Sequence, residues 1–218
     1  MSLDKTIKPA FERALATLDD PPPTGPRLVD DAARLWSRLR TFVDRGFAGD
    51  ATAALNLDAL ELACYAIQLP LRGSKLLPRG KFGRTNLRDR AEQAAELLVG
   101  LVGERLDEAV LDHATRILME MPHRAPALDE AKLLADAINL EDFGAVGLVV
   151  QAIELSRQGG GVTQVVEGAE KREQYGYWDA RLKDGFHYEP VRGLARQRLA
   201  NARVVAKLLA QEIADDTP

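Results

Sequence analysis

Apolar residues along this chain recur at spacings of three and four, and alternating runs rich in Val, Ile and Thr are missing. That period predicts an all-α protein, with helices over residues 4–18, 29–46, 56–68, 86–101, 106–121, 128–138, 142–157, 165–183 and 190–214. The last is the clearest: Ala195, Leu199, Ala202, Ala206, Leu209 and Ile213 step 4, 3, 4, 3, 4 along one stripe. Arg196, Arg198, Arg203 and Lys207 fall on its other faces, as a solvated basic side would. "DDPPPTGP" at 19–26 is a stiff break, because consecutive prolines fix φ and remove donors. Residues 1–27 therefore read as an N-terminal helix and Pro-rich linker, and 28–214 as one compact domain, giving eight or nine helices in all. "RQGGG" at 157–161 ends a helix. No internal repeat or low-complexity tract interrupts the pattern.

Composition changes this picture little. A chain of 218 residues, 46% hydrophobic and 28% charged, has the balance of an ordinary soluble globule with a substantial core. A net charge of -4 with pI near 5.5 argues against a dedicated nucleic-acid binder. No apolar run approaches the ~18 residues that would span a bilayer, and "MSLDKTIKPAFERALATL" is charged and amphipathic rather than basic then apolar. The expected address is the cytoplasm, with no membrane partner. The single cysteine, Cys64, excludes an intramolecular disulfide and reads as a buried, inert thiol within "LELACYAI".

Charge is concentrated in one place. "PLRGSKLLPRGKFGRTNLRDR" at 70–90 sets seven basic residues against Asp89, a local charge of +6 that leaves -10 for the rest. Its glycines make it a loop whose backbone amides could approach an anion. Lys81, Arg84, Arg88 and Arg90 are the candidates to hold the phosphate of a nucleotide or another phosphorylated small molecule. A solvated loop is the plainer reading, since no Walker-type Gly-Lys-Ser follows.

Four blocks carry a resemblance: "LDALELACYAIQLP" (57–70), "RDRAEQAAELLVGLVGERLDEAVLDHATRILME" (88–120), "DEAKLLADAINLEDFGAVGLVVQA" (129–152) and "FHYEPVRGLARQRLANARVVAKLLAQE" (186–212). In this order they resemble the HD-domain superfamily, metal-dependent phosphohydrolases on an all-helical fold, over residues 28–212. The resemblance implies a His on the first core helix, an adjacent His-Asp pair on the next and a late Asp. These ligands hold a divalent ion that polarises a phosphoryl oxygen and generates a hydroxide nucleophile. Here those positions map to Leu35, to Tyr65 and Ala66, and to Ile138. Further His positions of some relatives fall at Asp89 and Glu120. Hydrocarbon at so many ligand positions implies a refilled pocket, because unliganded buried His and Asp are costly. The resemblance thus implies no catalytic residue, no metal and no cofactor.

The remaining polar candidates are Asp89, Glu120, His123 and Asp136, with His113, Glu141 and Asp142 as further ligands for a relocated ion. His113 and Glu120 lie seven apart and would share a helical face, although "LDHATRILMEM" also reads as an ordinary amphipathic helix. His187, between Phe186 and Tyr188, reads as a packed or hydrogen-bonded histidine, and Asp136 as structural. Residues 170–189 hold Tyr175, Tyr177, Trp178, Phe186 and Tyr188, suited to core packing, a nucleobase site or an interface, with Tyr175, Trp178 and Arg181 on one helical face. No nucleophile elbow is present. The leading expectation is a non-catalytic HD-like protein, binding or regulatory, that keeps a cleft for a nucleotide or phosphorylated ligand. The alternatives are an active phosphohydrolase with displaced ligands and an oligomeric interaction module, such as a homodimer.

Overall fold

A computed structural model describes residues 7–16, 28–72, 86–157 and 159–215. The proline-rich break at 17–27 and most of the basic loop, 73–85, lie outside the described residues. The described residues are all-helical, without a strand. The α-helices are α1 (Ile7–Ala16), α2 (Leu28–Asp44), α3 (Leu57–Ala66), α4 (Leu87–Val102), α5 (Glu108–Glu120), α6 (Asp129–Asn139), α7 (Ala145–Arg157), α8 (Val162–Gln174), α9 (Tyr177–Asp184) and α10 (Glu189–Asp215).

Ten α-helices among the described residues exceed the expected eight or nine, because the helix expected over 165–183 is two. Gly176 breaks it at φ +61°, a left-handed conformation that a continuous α-helix cannot contain. Asn and Asp side chains cap several of the others. Asn56 accepts from the Ala59 amide at 3.0 Å, Asn86 from Arg88 at 3.1 Å and Asp107 from Ala109 at 2.8 Å, each satisfying an amide that the helix leaves free.

The chain forms two compact units, Met1–Ala135 and Asp136–Pro218, where the sequence suggests a single domain after residue 27. In the first, α3 is buried from Ala59 through Ala66, as an almost wholly apolar helix must be. It packs against α2, α4 and α5. The N-terminal helix belongs to this unit: α1 buries Ile7, Phe11 and Leu15 and packs on α2 and α4. The Phe11 ring meets that of Tyr65 at 5.7 Å.

In the second unit, α10 packs against α7, α8 and α9, and Phe143 forms an aromatic core with Trp178 and Phe186 at 5.0 and 5.4 Å between centroids. The "FGAVG" stretch is explained by close packing. Gly144 adopts φ +92°, and a Cβ there would lie 3.2 Å from that of Arg198. A Cβ at Gly147 would collide with the Asp142 carbonyl oxygen. The glycine run after α7 ends that helix as expected, with Gly159 at φ +82° and the Gly160 amide donating back to the Leu155 carbonyl at 2.8 Å.

Candidate functional site

Three of the four positions at which the resemblance to the HD superfamily expects metal ligands, Leu35, Tyr65 and Ala66, are packed into hydrocarbon in the first unit. Leu35 on α2 and Ala66 on α3 are wholly inaccessible, and Tyr65 is 2% exposed. Burial pushes the Tyr65 hydroxyl up to about 12, helped by Cys64, Glu61 and Glu12, so it stays protonated and offers no anionic ligand. Beside it the Cys64 thiol is buried and donates to the Ala32 carbonyl at 3.6 Å. Ile138 is half-buried on α6.

The residual polar candidates serve separate structural roles. Asp89 is exposed in the first turn of α4, and His123 is exposed in the bend after α5. Glu120 folds over that bend, its Oε2 accepting from the amides of Ala127 at 2.8 Å and Leu128 at 2.9 Å. His113 does not pair with Glu120; its Nε2 lies 3.3 Å from Oε1 of Glu130, which also accepts the Asn56 amide at 2.7 Å. Sequence reasoning missed Glu130, because an acid in the first turn of a helix is ordinary dipole chemistry and nothing local marks it as buried. Among the described residues, no group of three or more His, Cys, Asp or Glu is arranged to hold a metal ion.

Asp136 is completely buried, and its two carboxylate oxygens accept the backbone amides of His187 at 2.8 Å and Tyr188 at 3.0 Å. Burial raises its carboxyl to about 7, against those two bonds and the Arg192 charge, which pull it down. It fixes the segment leading into α10, the structural role the sequence suggests. Asp142 and Asn139 hold Arg181 at 2.9 and 3.0 Å, while the Asn139 amide donates to the Gly185 carbonyl at 2.7 Å.

Of the four phosphate candidates, Lys81 and Arg84 lie outside the described residues. Arg88 is exposed and pairs with Glu92 at 3.2 Å. Arg90 is a strut: its Nε donates to the Ile67 carbonyl at 2.8 Å and its Nη2 to Gln68 at 3.1 Å, so its guanidinium is committed to the end of α3. The aromatic segment divides as well. Trp178 and Phe186 are core, whereas Tyr175 is 81% exposed beyond the Gly176 break, so the expected shared face of Tyr175, Trp178 and Arg181 does not form.

A groove missed by the sequence reading opens between α8 and α10 in the second unit, with a volume of about 270 Å³. Leu148, Trp178 and Leu199 form its apolar floor, and Glu170 and Lys207 stand on its two rims. The signal was present in the sequence as Ala169 facing Ala202, Ala206 and Ala210, but small residues on a helix face usually mean close packing. Compared with protein-family models, curated proteins and solved structures, the chain matches none.

Proposed function

We propose that the chain is a binding or regulatory protein of HD-like helical fold that performs no metal-dependent phosphohydrolysis. The observation that carries this reading is the packing of Leu35, Tyr65 and Ala66 against one another's helices with almost no exposed surface. A divalent centre needs converging imidazole and carboxylate groups and room for a water, and these side chains supply neither. The basic stretch at 70–90 is the place for a phosphorylated ligand, with Arg88, Lys81 and Arg84 as its donors and Arg90 as the strut that anchors it to α3.

The deciding measurement is metal content after exposure of the purified protein to Mn, Fe and Zn in turn. We expect well below one equivalent, whereas the one or two tightly bound ions of a mono- or dinuclear centre, roughly stoichiometric, would restore the phosphohydrolase reading. For the ligand, a nucleotide at 100 times its Kd adds about 2.7 kcal/mol of stability. A melting shift of that origin should vanish in Lys81→Glu/Arg84→Glu; a shift that persists removes the basic stretch from the proposal.

A further inference from the structure

The groove between α8 and α10 has a chemistry of its own. Its floor is aromatic and closely packed: the Trp178 ring meets Tyr177 edge-on and lies tilted against Phe143, both at 5.0 Å, with Arg172 at 5.6 Å. One end is closed by Arg203, whose Nε and Nη2 donate to the two carboxylate oxygens of Glu173 at 2.8 Å each. That fork satisfies both groups and leaves neither charge for a ligand. Ala169, Ala206 and Ala210 keep the walls low. On opposite rims, Glu170 and Lys207 make no ion pair among the described residues.

An apolar floor between one free carboxylate and one free ammonium selects a ligand that carries both charges and a hydrocarbon tail. A simple alkyl acid would satisfy Lys207 and be repelled by Glu170; an alkyl amine would do the reverse. The volume of about 270 Å³ lies just below the range of drug-sized pockets, so the occupant is small. We propose that this groove binds an apolar α-amino acid, with its carboxylate at Lys207, its ammonium at Glu170 and its side chain on Trp178. The site lies wholly within the second unit and does not depend on the fate of the metal positions.

The test uses the full chain with Trp36→Phe, which leaves Trp178 as the single tryptophan reporter. L-leucine, L-phenylalanine and L-methionine are titrated against its emission, beside 4-methylpentanoate and 3-methylbutylamine, which each keep one charge of leucine. A saturable change is expected with at least one amino acid, and each half-molecule should bind about tenfold or more weakly than leucine, the effect of about one lost charged contact. Lys207→Gln should weaken leucine to a similar degree while 3-methylbutylamine, relieved of the Lys207 charge, binds as well or better; this side chain is exposed, so the variant tests the site without disturbing the core. Ala206→Phe should fill the groove and abolish the change. No saturable response to any of the three amino acids, half-molecules that bind as well as leucine, or an unaltered titration in folded Ala206→Phe would each overturn the proposal.

Discussion

Replacing Asp136 by Asn tests how a buried carboxylate is held at the start of α10. The folded carboxyl sits at about 7 against an ordinary 3.8, mainly through burial. At 1.36 kcal/mol per pH unit that difference corresponds to about 4 kcal/mol. Because the folded value is raised, the folded state holds the proton more tightly than the unfolded chain. The stabilisation is therefore complete below about pH 4 and is lost as pH rises through about 7. Asn keeps an oxygen for one of the two amides but turns an NH2 toward the other, which costs about 1–3 kcal/mol at any pH. The variant should be less stable than the parent at pH 5, and the gap should close or reverse by pH 9. Urea unfolding followed by Trp178 emission in the Trp36→Phe background, at pH 5, 7 and 9, reads the difference directly. A penalty that stays constant, or grows with pH, would refute the reasoning and mean that the His187 and Tyr188 amides keep the carboxylate ionised throughout.

Substitutions at three further positions separate the packing arguments. Glu130→Ala strands the Asn56 amide and removes the partner of His113, and should cost about 2–4 kcal/mol, read as a lowered urea midpoint. Gly147→Ala forces a methyl against the Asp142 carbonyl and should cost about 1–3 kcal/mol in the same assay, although Ala is the better helix former. At Gly176, where φ is +61° and the space around a Cβ is open, Asn should be nearly neutral in a thermal melt while Val costs about 1–2 kcal/mol.

Helix class was legible because burial imposes the 3.6-residue period directly on the sequence, and the stripe from Ala195 to Ala202 is buried as that period requires. The break at Gly176 was not, since one glycine inside an amphipathic run looks like a tolerated residue until its φ is known. Asp136, a lone acid among apolar neighbours, advertised its structural role. Glu130 and Glu120 did not, because their partners are backbone amides, which have no identity in a sequence. The same blindness hid the groove: its charges, Glu170 and Lys207, are far apart along the chain and ordinary on any helix surface.

The 27 residues of α10 are not equally anchored. Its buried side chains are Val191, Ala195, Leu199 and Ala202, and among the described residues none after Ala202 is buried. At 1.5 Å per residue the remaining turns extend about 20 Å, fastened to the body by the Arg203–Glu173 fork. Amide protons before Ala202 should therefore exchange more slowly than those beyond Arg203, where no side chain is fully buried. The helix is thus one element in shape but unequally held along its length, and its outer turns, which wall the groove, are the part expected to fray first.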